Sequence, residues 1–223
     1  MTRRNGYRRA VGVATELAAL AVLPCLAIVA VGAWRAPRLV ARKLGPPPQR
    51  SVRELPREFE RMLLAVEDPR FYEHHGVDFR TPGSGWTTIS QALVKVLYFD
   101  GFRPGALAKA EQSLLALGFD SAVSKRAQLD LFWNLAYFGR AGDEDVIGFP
   151  RAAMVYFGRD VRALERREYL ALVAMLIAPN RLSPDRHFAE NAERVGRIER
   201  LLAGKCRPHS WRDVEYRDCS ARR

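Results

Sequence analysis

The sequence predicts an all-α protein, with a membrane-spanning helix ahead of one helical domain. Three observations support that expectation. Residues 11–34 are almost wholly apolar and follow an arginine-rich start. Beyond residue 51, apolar side chains recur three and four positions apart in one segment after another, the period of a half-buried helix. Alternating runs of the kind that mark strands are scarce, and no internal repeat is visible.

Composition narrows the class. A chain of 223 residues allows one full domain plus an anchor or tail. With 48% hydrophobic residues it has material for a packed core and does not have a disordered composition. The formal charge of +11, from 36 basic and 25 acidic residues, favours an anionic partner such as phospholipid headgroups, a pyrophosphate or nucleic acid. No helix-turn-helix signature, zinc-finger spacing or ribonucleoprotein motif is present, which argues against nucleic acid.

The first segment, residues 1–44, reads as a basic start and an anchor. Arg3, Arg4, Arg8 and Arg9 precede the apolar run. As a helix that run would reach about 36 Å, enough for a hydrocarbon core of about 30 Å. Glu16 is its one charge and sits near the amino end, where the interface is in reach. Pro24 is expected to kink the helix without ending it. A cleavable signal peptide is the competing reading, because Val31-Gly32-Ala33 has the small residues of a cleavage site. The length of the run favours an uncleaved anchor. Basic residues follow it as well (Arg35, Arg38, Arg42, Lys43), so charge alone does not orient it.

Gly45-Pro46-Pro47-Pro48 is a stiff spacer that opens the domain, assigned to residues 45–205. Leu55, Phe59, Met62, Leu63 and Val66 mark the first domain helix, with Pro56 suited to its first turn. Residues 77–84 read as a loop. Thr87 or Thr88 can cap a helix whose apolar face is Ile89, Leu93, Val96 and Leu97, broken at Arg103-Pro104-Gly105. A further helix bears Leu107, Leu114, Leu115 and Leu117, and Ser124 caps the next, through Leu129, Phe132 and Leu135. Residues 139–145 read as a polar loop. A helix is expected from Phe149 to Gly158, and the apolar residues 169–178 form a buried helix too short to span a membrane. Arg194, Arg197 and Arg200 mark a final basic face, and residues 206–223 read as a loose tail. Cys25 is a packing residue. Cys206 and Cys219 could pair in an oxidising compartment, and no metal-ligand quartet is visible.

Two clusters hold the chemistry. The first is Glu67-Asp68-Pro69-Arg70-Phe71-Tyr72-Glu73-His74-His75-Gly76. A carboxylate at a helix C-terminus meets the negative end of the dipole, which raises its pKa and suits it to accept a proton near neutrality. The second is Gly85-Trp86-Thr87-Thr88-Ile89-Ser90-Gln91, with Lys95 beyond it. Its glycine permits close backbone approach, its amides stand at a helix N-terminus that attracts phosphate oxygens, and Lys95 adds a point charge.

With Ala108-Lys109 and Gln112, Gly148-Phe149-Pro150-Arg151-Ala152-Ala153 with Tyr156-Phe157-Gly158, and Arg167-Glu168-Tyr169 with Ala178-Pro179-Asn180 and Pro184, the two clusters make five ordered motifs. Across roughly residues 52–202 these resemble the family 51 glycosyltransferases, the membrane-anchored enzymes that polymerise lipid II into peptidoglycan. The resemblance implies a lysozyme-like helical domain, a cytoplasmic N-terminus and a domain on the periplasmic or external side of a bacterial inner membrane. It implies that Glu67 is the general base, that Asp68 and His74 orient it, and that Phe71 packs beneath. Gly85, Thr87, Thr88, Gln91, Lys95 and Lys109 would bind substrate, and Gln112 takes the place of a second catalytic carboxylate. Lipid II, the growing glycan strand, the membrane and other wall-synthesis proteins are the implied partners, with a divalent cation such as Mg or Mn as the one cofactor considered. The chain departs from the family at Ala108 and Gln112 in the third motif and at Pro150 in the fourth. Ala92 and Val96 stand where the family has glutamine and asparagine, and only eight residues separate Gly76 from Gly85. A register slip would bring Glu111 into the third motif instead. A catalytically degenerate relative that binds lipid II or acts as a scaffold is therefore the alternative.

Overall fold

A computed structural model describes residues 2–44, 51–99, 101, 103–210 and 212–219. The proline spacer 46–48 lies outside the described residues. Eight helices dominate: α1 (Thr2–Leu44), α2 (Arg57–Glu67), α3 (Ile89–Tyr98), α4 (Ala106–Ala122), α5 (Lys125–Leu135), α6 (Phe149–Phe157), α7 (Arg166–Met175) and α8 (Phe188–Leu202). The protein is mostly helical, as expected.

The helices follow from local chemistry. In α2 the buried Phe59, Met62, Leu63 and Val66 repeat at positions i, i+3, i+4 and i+7, one face of a helix. Thr88 starts α3 with a reciprocal capping box: Gln91 N donates to Thr88 Oγ1 at 3.2 Å and Thr88 N donates to Gln91 Oε1 at 3.0 Å. Ser124 caps α5, and Gly158 ends α6 in the left-handed conformation. The α7 stretch Tyr169-Leu170-Ala171-Leu172-Val173-Ala174-Met175 is apolar all round, so it can only be interior, and every one of these residues is buried. Phe59 stacks on Tyr169 with centroids 4.0 Å apart, and Trp133 stacks on Phe149 at 4.2 Å. This aromatic pile ties α2, α5 and α6 to the central helix.

The first expectation to be corrected lies between α5 and α6. Residues 139–145 are not a loop but most of a hairpin, β1 (Tyr137–Ala141) paired antiparallel with β2 (Glu144–Ile147). Arg140 opposes Asp145 and Ala141 opposes Glu144, with Gly142 at φ +63° in the turn. Its strands are too short and too polar to register as an alternating pattern.

The long α1 continues through Pro24 and Pro37. Its second half packs on the domain rather than standing clear of it. A Cβ on Gly118 would lie 2.0 Å from Val29 O, and one on Gly32 would lie 2.7 Å from Leu115 O. The α1 and α4 backbones therefore touch where neither position admits a side chain. The Tyr98 hydroxyl donates to Gly32 O, and Ala36 is fully buried. Among the described residues, the stretch Val22–Lys43 is long and apolar enough to cross a membrane.

The segment after α8 does not trail away. Cys206 and Cys219 are joined by a disulfide, and Tyr216 is buried against α2.

Candidate active site

Glu67 is the last residue of α2, and the chain leaves the helix at Asp68, whose amide still donates to Leu64 O at 3.0 Å. The two carboxylates then diverge. Asp68 turns inward and is 2% exposed. Its oxygens accept from His74 Nε2 at 2.9 and 3.0 Å and from the Ile89 amide at 3.0 Å, so it joins the loop to the first turn of α3. Thr88 Oγ1 donates to Gly76 O at 2.7 Å and fastens the same junction. Phe71 lies buried beneath, with its ring edge towards His74 and the Lys125 ammonium 4.7 Å from its centroid. His75 is exposed.

Glu67 instead opens on a cavity of about 470 Å³ between α2, α3, α5 and α8. Lys95, Gly85, Thr87 and Thr88 line the same cavity, and so does Arg194. Enclosure pushes the Glu67 carboxyl up to about 7. Burial is the largest cause; the Arg194 charge opposes it, Asp68 adds to it and Lys95 opposes it. Desolvation, not the helix dipole invoked from sequence, thus leads the shift. Burial lowers the Lys95 pKa, with Glu67 acting against it. Burial also brings Lys109 down to about 8, assisted by the neighbouring Lys95 charge.

Lys109 reaches the site from α4, and its ammonium donates to Thr87 Oγ1 at 3.1 Å. It lines a second, mostly apolar groove of about 750 Å³ with Phe79, Leu114, Leu117 and Cys25 of α1. Trp86 borders both spaces.

Five of the sequence-derived site residues therefore share the cavity: Glu67, Gly85, Thr87, Thr88 and Lys95. Lys109 lies at its edge. Asp68, Phe71, His74, Gln91 and Gln112 line neither space. Gln91 is fully buried and donates to Ser113 Oγ at 2.8 Å. Gln112 is 6% exposed and donates to Gln91 O at 2.6 Å, so its amide joins α4 to α3 instead of facing Glu67. Glu111 lies one position round the helix and pairs with Arg103 at 3.2 Å.

Sequence reasoning missed Arg194 and Tyr216. Arg194 is not part of a solvated basic face. It is 4% exposed, donates to Ala174 O at 3.1 Å and to Val214 O at 2.9 Å, and has its pKa lowered by burial. A signal was present: Asn191, Arg194, Val195 and Ile198 are spaced as one helix face, and all four are buried. Tyr216 had no local signal beyond the two cysteines that bracket it.

No group of three or more histidine, cysteine or acidic side chains able to hold a metal ion occurs among the described residues. Asp68 is already engaged by His74 and Ile89, so Glu67 is the one carboxylate facing the cavity, a poor donor set for a protein-held divalent cation.

The helical domain thus brings one carboxylate, raised in pKa by burial, into the same cavity as Lys95 and Arg194. The sequence profile of the transglycosylase family matches residues 47–203, more than half of the chain, and the chain belongs to that family, the family 51 glycosyltransferases. It is 35% identical over 153 residues to penicillin-binding protein 1B of Escherichia coli, covering 63% of this chain and 18% of that protein. It is 32% identical over 165 residues to penicillin-binding protein 1B of Buchnera aphidicola from Acyrthosiphon pisum (66% and 22%). It is also 32% identical over 157 residues to penicillin-binding protein 1F of Bacillus subtilis (65% and 21%). The chain thus spans about a fifth of the length of the curated relatives it matches.

Proposed function

We propose that this chain is a peptidoglycan glycosyltransferase that extends glycan from lipid II, with Glu67 as general base. The observation that supports this reading most is the shared cavity, where a carboxylate with a pKa of about 7 faces Lys95 and Arg194. A base poised near the working pH is ionised often enough to act and basic enough to take a proton. In the reaction, Glu67 accepts the proton of the acceptor sugar's 4-hydroxyl as that oxygen attacks C1 of the donor. The bond from C1 to the polyprenyl pyrophosphate breaks, its electron pair leaves with the pyrophosphate, and a β-1,4 linkage forms with inversion. Lys95 from α3 and Lys109 from α4 offset the charge on the departing group. No step runs through a metal.

Asp68 and His74 act at one remove by holding the α2 end against α3. Gln112 serves the same framework, so the chemistry rests on one carboxylate. The apolar groove beside Lys109, backed by α1, suits the polyprenyl tail while the pyrophosphate meets the lysines. α1 anchors the domain in the bacterial inner membrane with the domain outside, a placement that also suits the Cys206–Cys219 disulfide.

The test is polymerisation of labelled lipid II by the full-length protein in detergent, with product length resolved on gels. Glycan product that disappears in Glu67→Gln supports the enzyme. A second reading, a degenerate relative that binds lipid II or acts as a scaffold, draws on Gln112 and Pro150 where the family has carboxylates. Lipid II binding without product, together with product from Gln112→Glu, would favour it.

A further inference from the structure

The segment after α8 lies beyond the residues matched by the family, and the chemistry assigned above makes no use of it. It nevertheless walls the cavity: Val214 and Tyr216 line it beside Glu67. Tyr216 is 2% exposed, and its hydroxyl donates to Val66 O at 2.8 Å, the carbonyl that immediately precedes Glu67. The Arg194 guanidinium lies 5.3 Å from its ring centroid and donates in turn to Val214 O at 2.9 Å. Tyr216 is also the one described non-glycine residue at positive φ, +54°. A bulky side chain holds that conformation only where its surroundings over-determine it. Here Cys219 N donates to Tyr216 O at 2.9 Å, Tyr216 N donates to Asp213 O at 3.1 Å, and the disulfide closes the loop with its Cα atoms 5.4 Å apart.

The same strap grips the short loop between the first two motifs. Gly83 N donates to Ser210 O at 3.0 Å. A Cβ at Gly83, whose φ is +81°, would come within 2.6 Å of Pro208 Cγ and 2.9 Å of Tyr216 Cε1. Loop and strap are fitted to each other at Gly83.

We infer that the disulfide-closed strap, through Val214 and Tyr216, is a working wall of the active site, and that Tyr216 is a positioning residue that holds the end of α2 and shields Glu67 from water. The inference deepens the reading of Glu67 as the base and rests on it. The charged and titratable groups that interact electrostatically with Glu67 are Lys95 from α3, Arg194 from α8 and the Tyr216 phenol from the strap, together with Asp68, which adjoins it in the chain but turns away from the cavity. Opening the strap would hydrate the carboxyl and favour its charged form. It would also loosen Arg194, which acts the other way. Burial is the larger cause, so the net movement is downward, from about 7 towards the ordinary 4.5.

The experiment is a ¹³C NMR titration of carboxyl-labelled glutamate in the full-length protein in detergent, with the Glu67 signal assigned by its loss in Glu67→Gln. Wild type is expected to titrate near 7. The Cys206→Ser, Cys219→Ser double variant is expected to fall by about one pH unit or more, with Tyr216→Phe between the two. The acid limb of polymerisation should move with it, which a merely stabilising strap would not produce. Should the double variant lose its helical circular dichroism, Tyr216→Phe, which removes a single hydroxyl, decides alone. Titration near 7 in both folded variants overturns the inference and leaves the base reading standing. Titration of wild type near 4.5 sinks the base reading itself, and the inference with it.

Discussion

Two regions meet at the end of α2, and they treat polar groups in opposite ways. On the α3–α4 side, Asp68, His74, Thr88, Gln91, Gln112 and the half-buried Ser113 form a lattice in which each side chain makes at least one hydrogen bond, with His74 Nδ1 left unpartnered. On the cavity side, Glu67, Lys95, Lys109 and Arg194 are enclosed but only partly compensated, and the pKa of each is displaced by burial. A hydrogen-bonded network rigidifies, whereas charged groups whose pKa values are displaced by burial are candidates for chemistry. Adjacent residues, Glu67 and Asp68, fall on opposite sides of this divide. The difference teaches that a motif of neighbouring carboxylates can combine one group open to a cavity with one structural group.

If the division is right, changes on the cavity side should alter activity more than stability, and changes in the lattice the reverse. The largest expected effect is that of Glu67→Gln, a loss of about 10²–10⁴ in polymerisation rate. The same variant should be more stable than wild type above pH 7. The folded pKa of Glu67, about 7, lies above its ordinary 4.5, so wild type loses stability as pH rises from 4.5 to 7 and then levels off. Glutamine removes that cost, on the order of 1–3 kcal/mol after allowance for the side chain's partial exposure. Thermal melts at pH 5 and pH 8 check the sign, and a Glu67→Gln variant less stable at pH 8 would erase the contrast.

Next comes Asp68→Ala, expected to cost about 2–4 kcal/mol, because His74 and the Ile89 amide lose a buried acceptor. Urea unfolding measures it, and an unchanged midpoint would place Asp68 outside the framework. Gln112→Glu should cost about 1–3 kcal/mol, since a carboxylate would face the Gln91 carbonyl without a proton to donate. The same unfolding assay decides that. The smallest effect is on the pH profile. Activity should rise through about pH 7 as Glu67 ionises and decline above about 8 as Lys109 loses its charge. Lys109→Arg, which stays charged, should move only the alkaline limb upwards. A fixed limb would remove Lys109 from the site.

Much of this was legible in the chain. The faces of α2, α3 and α5, the Thr88 and Ser124 caps and the all-apolar α7 follow from residue spacing, because helix periodicity and capping are local. Glu67, Gly85, the two threonines and Lys95 could be grouped from motif order. Gln112 could be placed on its helix, but its partner, the Gln91 carbonyl, belongs to a different helix. The Arg194 guanidinium looked like surface because arginine usually is. Its burial depends on carbonyls supplied by α7 and by the strap. The hairpin at residues 137–147 was lost because its pairing, not its composition, makes it a sheet.

By itself, then, the sequence determined which segments coil, where they start and stop, and which reactive side chains the chain owns, since those depend on neighbours within a few residues. Tertiary structure alone decided which carboxylate shares a cavity with the cations, how dry that cavity is, and that Val214 and Tyr216, after α8, return to line it. Those outcomes depend on groups distant in the chain, brought together by packing and desolvated by one another, and no local pattern encodes how far water is kept away.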